Sequence, residues 1–242
     1  MRRTREQTAL MSDTAIITAF SLIAEADPAL LQIIGLSLRV SLSAIALACV
    51  IALPLGAALA LARFPGRGGV IVLCNALMGL PPVVAGLLIY LLLSRSGPFG
   101  GLELLFTPTA MIAAQTVLVV PIILSLTRSM VEELWGEYEE QLRSLGSGRL
   151  RAVPTLLWDG RVGLLTGILA GFGRASAEVG AVLIVGGNIA GHTRTMTTAI
   201  TLETNRGNLA MAVALGIILL AIVLGLNALA FGLTQWSRRR MG

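Results

Sequence analysis

Five stretches of the chain are both apolar enough and long enough to cross a lipid bilayer as helices. A helix needs about 20 apolar residues to span the ~30 Å hydrocarbon core. The stretches are residues 40–62, 70–93, 109–126, 162–185 and 209–233. This pattern predicts an all-α, polytopic membrane bundle of about five transmembrane helices.

Prolines lie inside two of these stretches, Pro81 and Pro82 in the second and Pro121 in the third. Because proline lacks a backbone donor and clashes with the preceding turn, we expect kinks or breaks there. Such breaks either serve as hinges and gates or merely shape the bundle. Pro81 and Pro82 are therefore kept as gate candidates.

The composition excludes an ordinary soluble domain. Hydrophobic residues make up 55% of the 242 positions and charged residues only 13%, and the mean hydropathy is +0.85. A soluble domain has about 25% charged residues. Two cysteines cannot build a disulfide framework either, so the chain is predicted to be an integral membrane protein.

The 18 basic side chains are all arginine. A phosphate-binding P-loop needs a lysine, and a multi-histidine metal site needs more than the single His192. No nucleophile–base pair stands out, so we expect no enzyme activity, no cofactor and no metal on this chain. The arginines are dispersed along the ends of the apolar stretches, which argues against nucleic-acid binding.

The arginines also predict the orientation in the membrane. Ten fall on one side of the bundle and only Arg95, Arg194 and Arg206 on the other. Since positive residues mark the cytoplasmic side, the ten-arginine side, which includes the C-terminus, is predicted to be cytoplasmic. Five spans then place the N-terminus outside, although arginines at positions 2, 3 and 5 conflict with that placement.

Residues 1–28 form an N-terminal tail with three open interpretations. Residues 14–24 have amphipathic helical spacing and are too short to span, which suits a helix lying in the membrane interface. The basic start, the apolar stretch and Ala24-Glu25-Ala26 also fit a signal peptide cleaved after residue 26. Alternatively, Met11 is the true start, and residues 1–10 do not belong to the mature protein.

The loop between the third and fourth stretches, residues 128–161, holds six of the thirteen acidic residues. Apolar residues at i, i+4 and i+8 predict an amphipathic helix in its first half. The Gly-Ser-Gly run at 146–148 would end this helix, and a second short helix is predicted over residues 149–158. The loop is either a solvated hairpin or a docking element for a cytoplasmic protein.

Within this loop, Glu140, Gln141, Leu142 and Gly146 resemble the E-A-A-x-x-x-G cytoplasmic loop of ABC-importer permease subunits, although both alanine positions differ. Molybdate and sulfate permeases share the architecture. Four longer blocks are more similar to the tungstate-uptake permeases: RFPGR at 63–67, NALMGLPPVVAGLLIYLLLSRSGPFG at 75–100, LLFTPTAMIAAQ at 104–115 and GFGRASAEVGAVLIVGGNIAGHTRTMTTAI at 171–200.

The resemblance implies a type I ABC importer permease fold over residues 29–236, followed by a basic cytoplasmic tail at 237–242. It also implies a homodimer in the lipid of the inner membrane, a cytoplasmic ATPase dimer that binds ATP and Mg, and an extracytoplasmic oxyanion-binding protein. The residues expected to couple to the ATPase are Glu140, Gln141, Leu142, Gly146, Ser147, Gly148, Arg149 and Leu150.

The fourth stretch carries a ridge of Gly163, Gly167 and Gly171, which permits close helix approach either within the chain or at a dimer seam. Arg174 and Glu178 follow at i, i+4. Charged residues in a span face the bundle interior or a wet cavity. They either line an oxyanion path or neutralise each other as a structural lock within one helix, and we favour the lock.

The loop at residues 186–208 is rich in Gly, Thr, Asn and Arg. Three interpretations stay open: its backbone amides hold an oxyanion, it receives the binding protein, or it is an ordinary flexible loop. Asn188 is kept as a pathway or gate candidate. Apolar Met196, Ile200 and Leu202 indicate that part of the loop packs back on the bundle.

The combined hypothesis is the membrane subunit of an ATP-driven oxyanion importer, most similar to a tungstate permease. The alternatives are a molybdate or sulfate permease and, in a different class, a self-sufficient secondary transporter or channel. No inverted repeat is recognisable, which weighs against the secondary transporter.

Overall fold

The computed structural model describes residues 27–241 together with Thr18, Ser21, Ala24 and Glu25, and these residues form helices without a strand. Most of the predicted interfacial helix at 14–24, and all of residues 1–10, lie outside the described residues. The helices are α1 (Pro28–Leu61), α2 (Arg67–Met78), α3 (Pro82–Leu93), α4 (Pro108–Ser144), α5 (Val153–Asp159), α6 (Arg161–Ser176), α7 (Gly180–Gly186), α8 (Met196–Asn205) and α9 (Leu209–Met241).

Three helices, α1, α4 and α9, are long and apolar enough to span a membrane by themselves. Two further spans are broken: α2 and α3 meet at 102°, and α6 and α7 meet at 58°. Counting each bent pair as one span gives five spans in the part of the chain that the structure describes. The all-α prediction and the predicted number of spans are confirmed.

The two proline predictions have different outcomes. The break between α2 and α3 falls at Pro81 and Pro82, as predicted. In contrast, α4 continues through Pro121, so the alternative of a break there is wrong. Pro121 is buried, and the neighbouring turns and surrounding packing hold the helix across one missing bond. The break in the fourth stretch, at residues 177–179, was not predicted.

The centre of the bundle is the crossing of α1 and α4. Gly56 of α1 lies at their closest approach. A Cβ at Gly56 would be 2.7 Å from the carbonyl oxygen of Leu124 and 2.9 Å from Cβ of Thr127. Ordinary carbon contacts lie at about 3.5–4.0 Å, so only glycine permits this approach. The contact fixes α4 to α1 near residue 127.

The glycine ridge of α6 also packs against α4. A Cβ at Gly171 would lie 2.9 Å from Val119 Cγ1, and one at Gly163 would lie 3.1 Å from Met130 Sδ. The ridge therefore serves close packing within the chain, which is one of the two uses that the sequence allowed.

Residues 186–208 are not an irregular loop throughout, because they contain α8. Thr195 begins this helix with a capping box, in which Thr195 and Thr198 each hydrogen-bond the other's backbone. Met196 and Ile200 pack in a core cluster with Leu30, which confirms the predicted packing on the bundle. The interpretation as an ordinary flexible loop is wrong for the helical part, since capping and burial hold it.

Candidate functional site

The two broken spans contact each other at their breaks. A Cβ at Gly86 of α3 would lie 2.6 Å from Cα of Ala181 in α7, and a Cβ at Gly180 would lie 2.9 Å from Val83 Cγ2. The starts of α3 and α7 therefore pack together without intervening side chains. We call the two breaks, residues 79–81 and 177–179, the break junction.

Glu178 occupies the second break, and only 2% of its side chain is exposed. Its Oε2 accepts a hydrogen bond from Arg174 at 2.7 Å, and its Oε1 accepts one from the backbone N–H of Ala181 at 2.9 Å. The predicted ion pair is formed, but it does not lie within one helix. It joins the last turn of α6 to the break, where Glu178 lies, and the bond from Ala181 continues this connection into the first turn of α7.

Helix α8 is attached to the break junction and to the segment before it. The hydroxyl of Thr197 donates to the carbonyl oxygen of Glu178 at 2.8 Å. Asn188 adopts the left-handed region, with φ +52°, and its amide donates to the carbonyl oxygen of Thr198 at 3.4 Å. Asn188 thus holds α8 beside the end of α7.

The backbone amides between α7 and α8 are engaged inside their own segment. The N–H groups of His192, Thr193 and Arg194 all donate to the carbonyl oxygen of Ile189, at 3.2, 3.0 and 3.1 Å. These three amides are therefore not presented to an anion, which removes them from the oxyanion-binding interpretation of the loop.

A small polar cavity of about 20 Å³ lies between α1, α4, α6, α8 and α9, which is room for about one water molecule. Gln115 lies in its wall. The side-chain N–H of Gln115 donates to the carbonyl oxygen of Ala175 at 3.1 Å, and its Oε1 is buried without a partner among the described residues. The polar lining is Ser37, Ser41, Gln115, Ser176, Thr195 and Thr197.

Sequence reasoning missed this cavity. The available signal was Gln115, a polar residue in the middle of the third apolar stretch. Its partners come from other helices, so no local pattern shows them.

The second candidate region is the hairpin, formed by the end of α4 and α5 (residues 128–161). Helix α4 ends in a Schellman motif. Gly146 has φ +73°, and its N–H donates to Arg143 while that of Ser147 donates to Leu142, both at 2.9 Å. The predicted glycine break is confirmed. The second helix begins at Val153 instead of residue 149.

Arg149, in the turn before α5, lies back against α4. Its guanidinium donates to Glu139 Oε1 at 3.2 Å and lies 5.7 Å from the centroid of the Trp135 ring. Arg143 pairs with the same carboxylate at 2.6 Å. Glu139 lies beyond the predicted membrane-spanning residues 109–126, and the hydrogen bond from Arg149 lowers its pKa.

A second interaction between α5 and α4 also lies outside the predicted span. The carboxylate of Asp159, at the end of α5, raises the pKa of the Tyr138 hydroxyl on α4. The hairpin also keeps an open apolar surface: the exposed fractions are 83% for Leu145 and 68% for Leu150 at its tip, and 72% for Trp158 at the end of α5. A braced element with an apolar tip is suited to docking another protein.

The structure gathers the predicted residues into two separate groups. Pro81, Pro82, Arg174 and Glu178 lie at or next to the break junction, and Asn188 reaches it through α8. The predicted coupling residues lie at the end of α4 and in the following turns. Within the described ranges, no three His, Cys, Asp or Glu side chains are close enough to hold a metal ion.

Residues 52–242 match the family described as binding-protein-dependent transport system inner membrane component. The chain is 44% identical over 83% of its length to a probable anion ABC transporter permease of Haloferax volcanii, covering 88% of that protein. It is 40% identical over 90% of its length to the tungstate uptake system permease of Peptoclostridium acidaminophilum, covering 95%. The molybdenum transport permease of Escherichia coli is 31% identical, over 87% of this chain and 96% of that protein.

Proposed function

Because the chain belongs to the family of binding-protein-dependent transport system inner membrane components, we propose that it is the membrane subunit of an ATP-driven importer for an oxyanion, and that the oxyanion is tungstate. The observation that carries the substrate is the 40% identity to a tungstate uptake permease over 90% of the chain. The relative named for anions in general supports the same class of substrate.

The energy source is assigned to other chains. No lysine occurs in the sequence, so ATP and Mg are assigned to a cytoplasmic ATPase dimer and anion delivery to an extracytoplasmic binding protein. Two copies of the permease would enclose the pathway. Apolar side chains that face outward on α1, α3 and α9 are available to lipid and to the second copy; they include Val50, Leu91 and Leu224.

The hairpin is the proposed contact with the ATPase, which places it in the cytoplasm. It offers Leu145 and Leu150 at its tip, and Trp158 at the end of α5, to an apolar groove. The pair between Arg149 and Glu139 joins the turn after Gly146 directly to α4. Movement of the ATPase would therefore reach α4 without being absorbed in a loose loop.

The break junction is the proposed gate region. The prolines of the first break, at positions 81 and 82, leave a joint between α2 and α3. The pair of Arg174 and Glu178 acts as a lock on the second break, since the carboxylate is buried and already has two donors. Asn188 holds α8 against this region from the extracytoplasmic side.

Transport by the reconstituted complex tests the proposed function. Proteoliposomes that contain the permease with its ATPase, supplied with binding protein, should take up tungstate only when ATP is hydrolysed. Molybdate and sulfate are measured in parallel, and we expect tungstate to be preferred at equal concentration. A preference for molybdate would reassign the substrate. Uptake by the permease alone, driven by an ion gradient, would identify a secondary transporter instead.

The Gly146→Val variant tests the role of the hairpin. Valine strains a backbone at φ +73°, by about 1–2 kcal/mol, and should displace the turn that precedes Arg149. We expect normal membrane insertion and loss of ATP-driven uptake. Gly136→Ala is the matched control, because Gly136 lies within α4 outside the predicted coupling residues and a Cβ there meets nothing within 4 Å. Normal uptake by the valine variant would contradict the coupling role.

A further inference from the structure

A cavity of about 230 Å³ opens beside the hairpin, at the end of the bundle that we assign to the cytoplasm. Its walls come from the turn between α1 and α2, from α4 beyond residue 131, and from the turn after α4. The charged residues in its walls are Arg63, Arg67, Arg149, Glu132 and Glu139. The coupling role proposed above does not use this space.

The two carboxylates at the cavity are each shared by two guanidinium groups. Glu132 pairs with Arg67 and with Arg128. Glu139 is shared in the same way, by Arg143 at 2.6 Å and by Arg149 at 3.2 Å. Four positive groups therefore surround two negative ones.

Arg63 adds one more positive charge. It lies in the cavity wall and makes no ion pair with any described residue. Arg128 and Arg143 do not line the cavity, and neither do the other acidic residues of the hairpin. The walls therefore carry three positive groups and two negative ones, and this excess of one positive charge attracts anions.

Two of the arginines are held in place before any ligand arrives. Arg67 donates from Nε to the carbonyl oxygen of Leu59 at 2.9 Å and from a terminal nitrogen to that of Ala60 at 3.1 Å. Arg149 lies over the Trp135 ring. Fixed guanidinium groups match the geometry of tetrahedral oxyanions better than a mobile ammonium does. The volume is more than ten times that of the one-water cavity at Gln115, so an oxyanion fits with part of its hydration shell.

We propose that this cavity is a cytoplasmic binding site for a tetrahedral oxyanion, supplied either as free anion or as the phosphate group of an acidic lipid. The cytoplasmic placement rests on the proposed function. The bound anion contacts both the turn between α1 and α2, through Arg63, and the hairpin, through Arg149. It therefore adds a direct link between these two parts of the chain.

Binding to the permease alone tests this site without the ATPase and without uptake, so failed transport does not affect the result. The full-length chain is placed in nanodiscs of phosphatidylcholine, and tungstate and inorganic phosphate are titrated by equilibrium dialysis. We expect saturable binding that Arg63→Gln weakens about tenfold. Arg151→Gln is the matched control, because Arg151 is an exposed hairpin arginine outside the cavity.

A second set of nanodiscs containing phosphatidylglycerol identifies the source of the anion. If the lipid phosphate occupies the site, phosphatidylglycerol lowers tungstate binding to the parent chain, and the Arg63→Gln variant retains less acidic lipid than the Arg151→Gln variant. Equal weakening by both substitutions would overturn the proposal, since it would show diffuse surface attraction. The proposal would also be overturned if the permease bound no anion and only the Arg63→Gln variant lost its association with the ATPase. That result would show that Arg63 pairs with a carboxylate of the ATPase instead.

Discussion

Replacing Glu178 by glutamine removes the negative charge from the second break while keeping the size of the side chain. The amide oxygen of glutamine can still accept the N–H of Ala181, which Glu178 accepts at 2.9 Å. The other position, which accepts from Arg174 at 2.7 Å in the parent, becomes an NH2 group, a donor that cannot accept this bond. The variant therefore isolates the ion pair from the capping bond.

The structure sets the size of the effect. Breaking a buried ion pair by removing one member costs about 3–5 kcal/mol. The Glu178 side chain is 2% exposed, but that of Arg174 is 29% exposed, so solvent can recover part of the cost for the guanidinium. We therefore expect a loss of about 3 kcal/mol, which corresponds to a fall of roughly 6–12 °C in the unfolding midpoint of a chain of this size.

Thermal unfolding of the purified permease measures the loss, and uptake per folded molecule measures the functional effect. Glu133→Gln is the control, because Glu133 is exposed on α4, and exposed charges contribute about 0–1 kcal/mol. An Arg174→Lys variant with undiminished uptake would support a lock. A midpoint for Glu178→Gln within 1 °C of the parent would refute the reasoning.

Three further predictions concern packing, docking and pH. Gly86→Ala should lower the free energy of unfolding by about 2–3 kcal/mol, because its Cβ would lie 2.6 Å from a backbone atom. In the control Gly173→Ala the new Cβ meets nothing within 4 Å, so this variant should be neutral or stabilising. Equal effects of the two substitutions in thermal unfolding would contradict the packing. Trp158→Ala should leave the unfolding midpoint unchanged, since the side chain is exposed. The same variant should bind the ATPase more weakly in a pull-down titration. Unchanged association would exclude Trp158 from docking. The hydrogen bond from Arg149 lowers the pKa of Glu139 from about 4.5. The ionised carboxylate therefore stabilises the fold above that pH, and this contribution is lost as the pH falls below it. The difference in unfolding midpoint between the parent and Glu139→Gln should be present at neutral pH and vanish in acid.

The two breaks show how far the sequence predicts this fold. The first is readable because proline disrupts a helix by its own covalent structure, so Pro81 and Pro82 are sufficient. The second falls at Ala177, Glu178 and Val179, and none of these residues breaks a helix by itself. It is stabilised by Arg174 and by the hydroxyl of Thr197, which is 19 residues away.

The hairpin likewise has one feature that the sequence predicts and others that depend on distant residues. The turn at Gly146 is a local motif, so the sequence predicts it. The start of α5 at Val153 also has a local signal, because Pro154 lies in the first turn, where proline is favoured. The contacts of Arg149 with Glu139 and Trp135 are not local, so the sequence does not show them. The cavity at Gln115 depends on five helices, and no pattern along one of them reveals which polar groups meet.

The contact between Gly56 and Thr127 has a mechanical consequence. Helix α4 is one rod of 37 residues, about 55 Å long, and this contact holds it near its midpoint. Apolar clusters join α4 to α1 on both sides of this contact, from Ala110 at one end to Trp135 at the other. The two helices therefore form one stiff body without a pivot between its ends. A displacement of the hairpin is carried along the whole length of α4, and α1 moves with it.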